Sequence, residues 1–266
     1  MPTAQELLVA ADPAGALGAL QQQVRANAAD ARLRIFLFQL LAVLGQWQRA
    51  LDQLKVCGEL DAGTLAMVNT YAPALQCEAV REAVFEGRAL PHVFGPPAAW
   101  VAQLAQAMQL QAQGHPEQAS AARTAALEQA PASRGTLDGR RFEWIADADS
   151  RLGPVLEVII NGRYGWLPFA HVGELLIEPV SDLRDLVWAP AQLSFANGAQ
   201  TVALIPARYA GTAACTDGAL QLARRTDWLE LGAGQDQYCG LGQRVLATDT
   251  AEIGLLEARH LVLDGT

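Results

Sequence analysis

Hydrophobic positions along the chain follow two different periods, and the change falls near residue 131. From residue 3 to about 130, apolar residues recur at steps of three and four positions, which is the spacing of helices with a buried face. Alanine, leucine and glutamine, which all favour helix, dominate this stretch. Beyond residue 142, short apolar runs alternate with polar residues and end in glycine turns, as strands do. The pattern predicts an α+β chain with a helical first half and a mainly antiparallel β second half.

One predicted helix, ARLRIFLFQLLAVL at 31–44, is apolar on two sides. Ile35 and Phe38 share one stripe with Ala42. The other stripe holds Leu33, Phe36, Leu37, Leu40, Leu41 and Leu44. A helix with two apolar sides needs neighbours on both, so we expect 31–44 to lie inside a layered stack of helices.

Repeats support a stack that is built from helix pairs. Gly45 and Gly114 each open a motif, GQWQRA and GHPEQA, that ends in alanine five positions later. Glycine allows a tight turn between helices, and alanine lets two helices approach closely. The spacing is typical of tetratricopeptide (TPR) repeats. We predict a TPR-like helical repeat domain over 1–131, with two good repeats, a partial first unit and a degenerate repeat around 64–90. An unrelated helical bundle is the alternative.

The second half has the turn signals of an antiparallel sheet. The stretch 132–141 has the composition of a linker, and we predict a second, mainly antiparallel β domain over 142–266. The pairs Asn161–Gly162 and Asn197–Gly198 each lie between two β-rich runs. Both pairs predict hairpins, because the central positions of a two-residue turn require positive φ.

The first hairpin, NGRYGWLPFAHV at 161–172, combines arginine, tyrosine, tryptophan and histidine, as some active-site loops do. Alternation along its second strand places Tyr164 and Trp166 on one face and Arg163 and Leu167 on the other. Large side chains on one face of a sheet usually belong to a core or an interface. We therefore interpret this hairpin as scaffold.

Composition argues against several classes of function. The 266 residues carry a net charge of −9 and a single lysine, Lys55, which argues against binding to nucleic acid or an anionic membrane. The sequence contains no run of 18 or more apolar residues, so no membrane-spanning helix is expected. The four cysteines are scattered without tight pairs, which favours free thiols in a cytoplasmic protein.

Candidate chemistry is sparse. Asp147 and Asp149 form an Asp-x-Asp pair that is suited to a divalent cation, but the EF-hand pattern does not continue, and a capped turn explains the pair better. The sequence has no C-x-x-C, H-E-x-x-H or G-x-S-x-G motif, and we predict no metal, no cofactor and no catalytic residue. The alternative is a hydrolase-like enzyme at the domain junction, which requires Arg163 and His171 to converge with the two aspartates in one cleft.

Five motifs follow one another in order between Phe142 and Asp249. They are FEWIADADSRLGPVLEVIINGRYGWLPF, DLVWAPAQLSFANG, LIPARYAGT, LARRTDW and GLGQRVLATD. Preceded by helical repeats, this series resembles the ImpE/TagJ family of accessory proteins that are encoded with bacterial type VI secretion systems. The resemblance covers nearly the whole chain, weakly in the repeats and strongly in the five motifs.

The resemblance implies a cytoplasmic accessory protein with no known enzymatic activity. It implies contact with the contractile sheath, through the small sheath subunit TssB, and with the sheath-recycling ATPase ClpV. It supplies no residue-level map of these contacts, so contact residues are predicted from this sequence alone.

A stack of helix pairs usually presents a groove that accepts a peptide. The residues that we predict as partner-binding anchors in such a groove are Ile35, Phe38, Trp100, Leu104 and Met108. Packing within the chain is the alternative for each of them. A structural module that uses its repeats only to dimerise is the remaining alternative to an adaptor.

Overall fold

The structure, a computed structural model, describes residues 2–232 and 234–264. Within them the α-helices are α1 (Ala4–Val9), α2 (Pro13–Ala26), α3 (Ala31–Val43), α4 (Trp47–Leu60), α5 (Leu65–Phe85), α6 (Ala99–Ala112), α7 (Pro116–Gln129) and α8 (Gly218–Gln221). The strands are β1 (His92–Val93), β2 (Gly135–Leu137), β3 (Arg140–Phe142), β4 (Ile145–Asp147), β5 (Val155–Ile160), β6 (Arg163–Pro168), β7 (Val172–Ile177), β8 (Trp188–Phe195), β9 (Gln200–Pro206), β10 (Thr226–Glu230), β11 (Tyr238–Gly242), β12 (Val245–Thr248), β13 (Glu252–Gly254) and β14 (His260–Leu263).

Side-chain caps and glycine turns set the ends of the helices in the first half. Thr3 forms a capping box with Glu6 at the start of α1. Gly45 lies between α3 and α4 with φ of 67°, and Gly114 lies between α6 and α7 with φ of 80°. These two turns join the helices into the pairs that the sequence predicted. Among the described residues, no helix is long and apolar enough to cross a membrane.

The middle of the helical half is one long helix, so the degenerate repeat predicted around 64–90 is wrong. Helix α5 runs unbroken for 21 residues, with Pro73 inside it. Proline removes one backbone donor but does not end the helix here. Helix α5 packs against both α4 and strand β6, so its position is set by the sheet as well as by the helices.

The large sheet has nine strands in the order β1-β6-β5-β9-β8-β7-β14-β2-β3. Strand β1 pairs with β6 in parallel, and the other neighbours are antiparallel. A three-stranded sheet, β13-β12-β4, and a two-stranded ribbon, β10-β11, complete the second half. The α+β class is therefore confirmed, with the helices of the first half followed by a mainly antiparallel sheet.

The two Asn-Gly pairs both lie at hairpins, but their turns differ. Asn161 and Gly162 have φ of 50° and 71°, as a two-residue turn between β5 and β6 requires. At the second pair only Gly198 has positive φ, at 84°. There the Phe195 N–H donates to the Ala199 carbonyl at 2.8 Å, which gives a three-residue loop.

The stretch 132–141 is part of the sheet, so the prediction of a linker there is wrong. It contains β2 and the start of β3, and β2 pairs with both β3 and β14. Asp138 and Gly139 have φ of 50° and 78° at the turn between them. The small and polar residues that suggested a linker instead form a tight turn.

Two hydrophobic cores lie on opposite faces of the large sheet. The first joins the helices to the sheet and includes Phe38, Leu54, Ile159 and Trp188. The second includes residues of the three-stranded sheet, such as Leu246. The first core therefore crosses the boundary between the two predicted domains, and the division of the chain into domains 1–131 and 142–266 stays a prediction.

The alternation predicted for strand β6 is confirmed. Tyr164 and Trp166 belong to the core that faces the helices, whereas Leu167 belongs to the core on the other face. Strand β5 alternates in the same way, with Val155 and Ile159 toward the helices. The strand pair therefore contributes to both cores.

Candidate functional site at the helix–sheet junction

Charged side chains are buried where α5 meets the sheet. Glu157 of β5 lies at the centre of this group and has no exposed surface. Its carboxylate accepts hydrogen bonds from Arg81 of α5, from Nε at 2.7 Å and from Nη2 at 3.0 Å. The Tyr164 hydroxyl donates to it at 2.6 Å, and Arg244 Nη1 donates at 3.1 Å. One glutamate therefore connects α5, β5, β6 and the residue that precedes β12.

Two aspartates extend this network. Arg244 donates to Asp147 Oδ2 from Nε at 2.9 Å and from Nη2 at 2.5 Å. Arg151 Nη2 donates to Asp149 Oδ2 at 2.6 Å, and the Gly240 N–H donates to the same oxygen at 3.0 Å. The Asp149 N–H donates to Asp147 Oδ1 at 2.8 Å. The Asp-x-Asp pair is thus a turn whose carboxylates are both bound by arginine.

Two further charged residues attach the helices to the sheet. Glu78 of α5 accepts the indole N–H of Trp188 at 2.7 Å. Arg208 Nη1 donates to the carbonyl of Val43 at 2.8 Å and to that of Gln221 at 2.5 Å. Val43 ends α3, where the last carbonyls have no helical donor, so Arg208 caps that helix.

Burial and ion pairing act in opposite directions on the pKa values of these groups. Burial raises the pKa of Glu157, but the charges of Arg81 and Arg244 and the hydrogen bonds from Arg81 and Tyr164 together lower it by more, and its net pKa lies below the ordinary value. Burial raises the pKa of Asp147 to about 6, against the lowering effect of Arg244. Burial also lowers the pKa of Arg208 to about 10.

The network balances its charges within the chain. Its four carboxylates and four guanidinium groups belong to Glu78, Asp147, Asp149, Glu157, Arg81, Arg151, Arg208 and Arg244. Removing such groups from water is costly, and the cost is offset only when each group keeps its partners. The carboxylates face arginines or an indole N–H, which is the arrangement of a structural junction.

A cleft of about 290 Å³ opens beside this network. Phe85 of α5 lies on its wall, with the guanidinium carbon of Arg151 4.8 Å from the ring centroid. Trp47 of α4 donates its indole N–H to Glu82 at 2.7 Å on the same wall. The cleft combines aromatic surface with charged groups that already have partners.

A larger groove, of about 640 Å³, lies between α5 and strands β8 and β9. Tyr71 and Pro73 line it from the helix, and Pro190 and the exposed Val202 line it from the strands. Its volume lies in the range of pockets that hold a small ligand or the side chains of a partner.

The residues of the predicted hydrolase-like site do not form one cleft. Asp147 and Asp149 are buried in the network beside arginines. Arg163 is exposed at the turn that begins β6. His171 follows the other end of that strand, and its Nδ1 lies 3.5 Å from the Phe94 carbonyl oxygen. The six residues of β6 separate Arg163 from His171 by about 17 Å along the strand, so the convergence that this hypothesis requires is not present.

Four of the five predicted partner anchors are buried in the core that joins the helices to the sheet. They are Phe38, Trp100, Leu104 and Met108. Ile35 is half-buried and is the only one of the five with substantial exposed surface. Burial counts against a groove formed by the other four, because a buried side chain contacts a partner only after rearrangement. Partner binding by these residues stays a prediction.

Sequence reasoning missed the centre of the junction. Glu157 stands alone in the apolar run VLEVII, and every residue of that strand is buried. A single carboxylate within the pattern of a buried strand predicts that the carboxylate is paired with another group, because buried charges are rarely unpaired. The sequence does not reveal that Arg81 is that partner, since 76 positions separate the two residues.

The structure offers little for metal or thiol chemistry. Within residues 2–232 and 234–264, no group of three or more His, Cys, Asp or Glu side chains is placed to hold a metal ion. Burial raises the pKa of Cys57 and of Cys77 to about 11, so both thiols stay protonated at neutral pH.

These features define an α+β protein in which helix pairs pack on a mainly antiparallel sheet across a closed ionic junction. The family described as ImpE protein matches residues 139–262. Over 263 residues the chain is 54% identical to a Pseudomonas aeruginosa (strain PAO1) protein named type VI secretion system accessory component TagJ. That match covers 99% of this chain and 92% of the relative. The chain belongs to the ImpE/TagJ family, as its ordered motifs predicted.

A solved structure has the same fold. The X-ray crystal structure of protein VPA1032 from Vibrio parahaemolyticus matches this chain with a TM-score of 0.90 and 22% sequence identity. The match covers 99% of this chain and 98% of that one. At this identity the likeness shows the fold alone, and it includes both the helical half and the sheet.

Proposed function

We propose that this chain is a cytoplasmic, non-enzymatic accessory protein of a bacterial type VI secretion system. We propose further that it is an adaptor that binds the small sheath subunit TssB, the sheath-recycling AAA+ ATPase ClpV, or both. The observation that carries the proposal is the 54% identity to an accessory component of such a system over 99% of the chain.

Two structural features support a role in protein binding. Helices pair through turns at Gly45 and Gly114, and stacked helix pairs commonly bind peptides. The junction carboxylates are held by arginines, whereas an acid or base catalyst must face its substrate. Both features favour a scaffold for partners over a catalytic site.

Calorimetric titration of the purified full chain with purified TssB and purified ClpV, separately and together, tests the proposal. We expect a complex of roughly micromolar or tighter affinity with at least one of them. Sedimentation of the chain alone serves as the control for the dimerising alternative. Failure to bind either protein, alone or mixed, contradicts the adaptor.

Substitution of exposed apolar residues by aspartate locates the binding surface. Ile35→Asp tests the predicted anchor that has exposed surface, and Val202→Asp tests the groove beside α5. Val9→Asp, on the exposed side of α1, is the matched control. We expect Ile35→Asp to weaken binding by about tenfold and Val9→Asp to leave it unchanged. Loss in Val202→Asp alone contradicts a groove in the helical half, provided that all three variants keep the wild-type melting temperature.

A further inference from the structure

The β10–β11 ribbon has one edge that the rest of the chain covers. Along β11, the Tyr238 carbonyl accepts the Ser150 N–H at 2.9 Å, and the Tyr238 N–H donates to Ser150 Oγ at 3.0 Å. The Gly240 N–H donates to Asp149 at 3.0 Å, and the Gly242 carbonyl accepts a backbone N–H at 3.0 Å. The outer edge of β11 is thus bonded residue by residue to the body of the protein.

The outer edge of β10 is open. Two hydrogen bonds at the ends of the ribbon show which residue pairs are hydrogen-bonded across it. The Leu231 N–H donates to the Gln237 carbonyl at 2.8 Å, and the Gln243 N–H donates to the Arg225 carbonyl at 3.0 Å. Antiparallel strands alternate bonded and non-bonded pairs, so the even-numbered residues of β10 direct their N–H and C=O groups away from β11. These residues are Thr226, Trp228 and Glu230. Among the described residues, no strand pairs with that edge.

Large apolar side chains surround this open edge. Trp228 is 39% exposed, Leu229 51% and Tyr238 40%. Trp228 lies opposite Gly240 and packs on Tyr209, with ring centroids 5.5 Å apart. A Cβ on Gly240 would come within 2.2 Å of the Tyr209 ring, so only glycine allows this arrangement. The aromatic side chain is therefore held in place and still half exposed.

The ribbon is acidic. Arg225 forms ion pairs with Asp217, at 2.7 Å, and with Asp227. Glu230 and Asp236 add two exposed carboxylates. The exposed Arg224 also precedes β10 and donates to the carbonyls of Val9 and Leu8, so four acidic groups stand against two basic groups. Proteins protect an open strand with charged side chains, especially lysine, or with proline or a bulge. Strand β10 has no lysine, proline or bulge, and its charged side chains, Asp227 and Glu230, are both acidic.

We propose that the open edge of β10 binds a basic, extended segment of a partner protein as an added strand. The partner backbone pairs with Thr226, Trp228 and Glu230, an apolar partner residue packs on Trp228, and basic partner residues face the acidic groups. A second copy of this chain is disfavoured as the occupant, because it would bring two acidic ribbons together. The inference goes beyond the adaptor proposal and does not depend on which protein supplies the segment.

Amide exchange by NMR on the isotope-labelled full chain tests this pairing, with a peptide of about seven alternating lysine and valine residues as the probe. We expect exchange at Thr226, Trp228 and Glu230 to slow when the peptide binds. Exchange at Asp227 and Leu229, which already bond to β11, should change much less. The matched control peptide alternates glutamate and valine, and we expect it to bind roughly tenfold more weakly.

Paired variants separate backbone pairing from side-chain effects. Thr226→Pro removes an outward N–H and keeps the bonds to β11, and Thr226→Val keeps that N–H but loses the hydroxyl. We expect roughly tenfold weaker peptide binding in Thr226→Pro and no change in Thr226→Val. Glu230→Lys should weaken binding of the basic peptide, and Glu252→Lys, on an exposed strand elsewhere, should not.

Three results would overturn the proposal. The first is no binding of the basic peptide at millimolar concentration. The second is exchange protection that does not alternate along β10. The third is protection of the even-numbered residues that rises with protein concentration in the absence of peptide, which would identify a second copy as the occupant.

Discussion

Polar groups are buried and paired within the chain at the helix–sheet junction, whereas on the β10–β11 ribbon many of them face outward. At the junction, Glu157 is buried and binds Arg81, Arg244 and Tyr164 within the chain. On the ribbon, the N–H and C=O groups of the even-numbered residues of β10 face outward, and the side chain of Trp228 is partly exposed. The junction joins helix α5 of the first half to the sheet, and the ribbon lies in the second half. Both regions contain charged and aromatic residues.

This difference in pairing indicates which of the two regions a partner can bind. The charged groups of the junction already have partners within the chain, and these bonds hold α5 on the sheet. An open edge keeps its hydrogen-bonding capacity for another molecule. Composition does not separate the two, since Trp166 and Trp228 look alike in sequence and only Trp228 is exposed. The contrast predicts large stability effects at the junction and small ones on the ribbon.

The largest effect is expected for Glu157→Gln. Arg81 and Arg244 would lose the carboxylate that both of them share, and breaking a buried ion pair costs about 3–5 kcal/mol. Urea denaturation monitored by circular dichroism measures the change. Glu143→Gln, in an exposed pair with Arg134, is the control and should not differ measurably from wild type. Equal stability of both variants would contradict the role of the junction.

A smaller loss is expected for Gly45→Ala. Gly45 has φ of 67°, and a Cβ there would lie 2.6 Å from Cβ of Ala213 in the second half. Gly114 has φ of 80° and no atom within 4 Å of such a Cβ. Gly114→Ala should therefore cost about 1–2 kcal/mol from backbone strain alone, and Gly45→Ala about 1–3 kcal/mol more from the contact. Thermal melts that give the same loss for both would show that the contact is unimportant.

The pH dependence of stability tests the buried aspartate. Since burial raises the pKa of Asp147 from 3.8 to about 6, folded Asp147 keeps its proton where the unfolded chain has lost it. Its stabilising contribution is fully present below pH 3.8 and is lost as pH rises through about 6. The pKa of Glu157 is lowered, so its contribution has the opposite sign and is lost only as pH falls through its folded pKa.

Comparison of wild type with Asp147→Asn separates the effect of Asp147 on the pH dependence of stability from the effect of Glu157. The free energy of unfolding of wild type minus that of the variant should be larger at pH 4 than at pH 7. Urea titrations at both pH values provide the four free energies that are needed. A difference that grows toward pH 7 would mean that the ion pair with Arg244 outweighs burial.

The smallest stability effect is expected on the ribbon. Trp228→Ser removes a partly exposed side chain and its contact with Tyr209, which is worth about 0.5–1.5 kcal/mol. Trp166→Ser, which empties a fully buried site, is the comparison and should cost several times more, on the order of 3–5 kcal/mol. Similar losses in the two variants would remove the distinction between the closed junction and the open ribbon.

Local patterns predicted much of the fold. The helical period, the turns at Gly45 and Gly114 and the hairpin at Asn161–Gly162 all depend on residues close in sequence, and the structure contains each of them. The alternation of Tyr164 and Trp166 against Leu167 was also predictable, because it depends only on the two-residue period of a strand.

Features that depend on distant residues were not predictable in this way. The composition of 132–141 resembles that of a linker. The stretch is part of the sheet because β2 pairs with β14, which lies more than 120 residues later in the chain. Phe38 lies on an apolar stripe that suits either a groove or a core, and only its packing among other elements shows that it is buried. The Arg244–Asp147 pair joins residues 97 positions apart, and no local signal connects them.

Hydrogen exchange of the full chain, free and mixed with TssB or ClpV, tests most directly whether partners bind to exposed surface while the junction stays closed. Mass spectrometry of peptides along the chain would measure it. We expect new protection in exposed segments, and slow exchange in β5 and β6 that does not change when the partner is added. Faster exchange in β5 and β6 upon binding, or no change anywhere with either partner, would contradict this account.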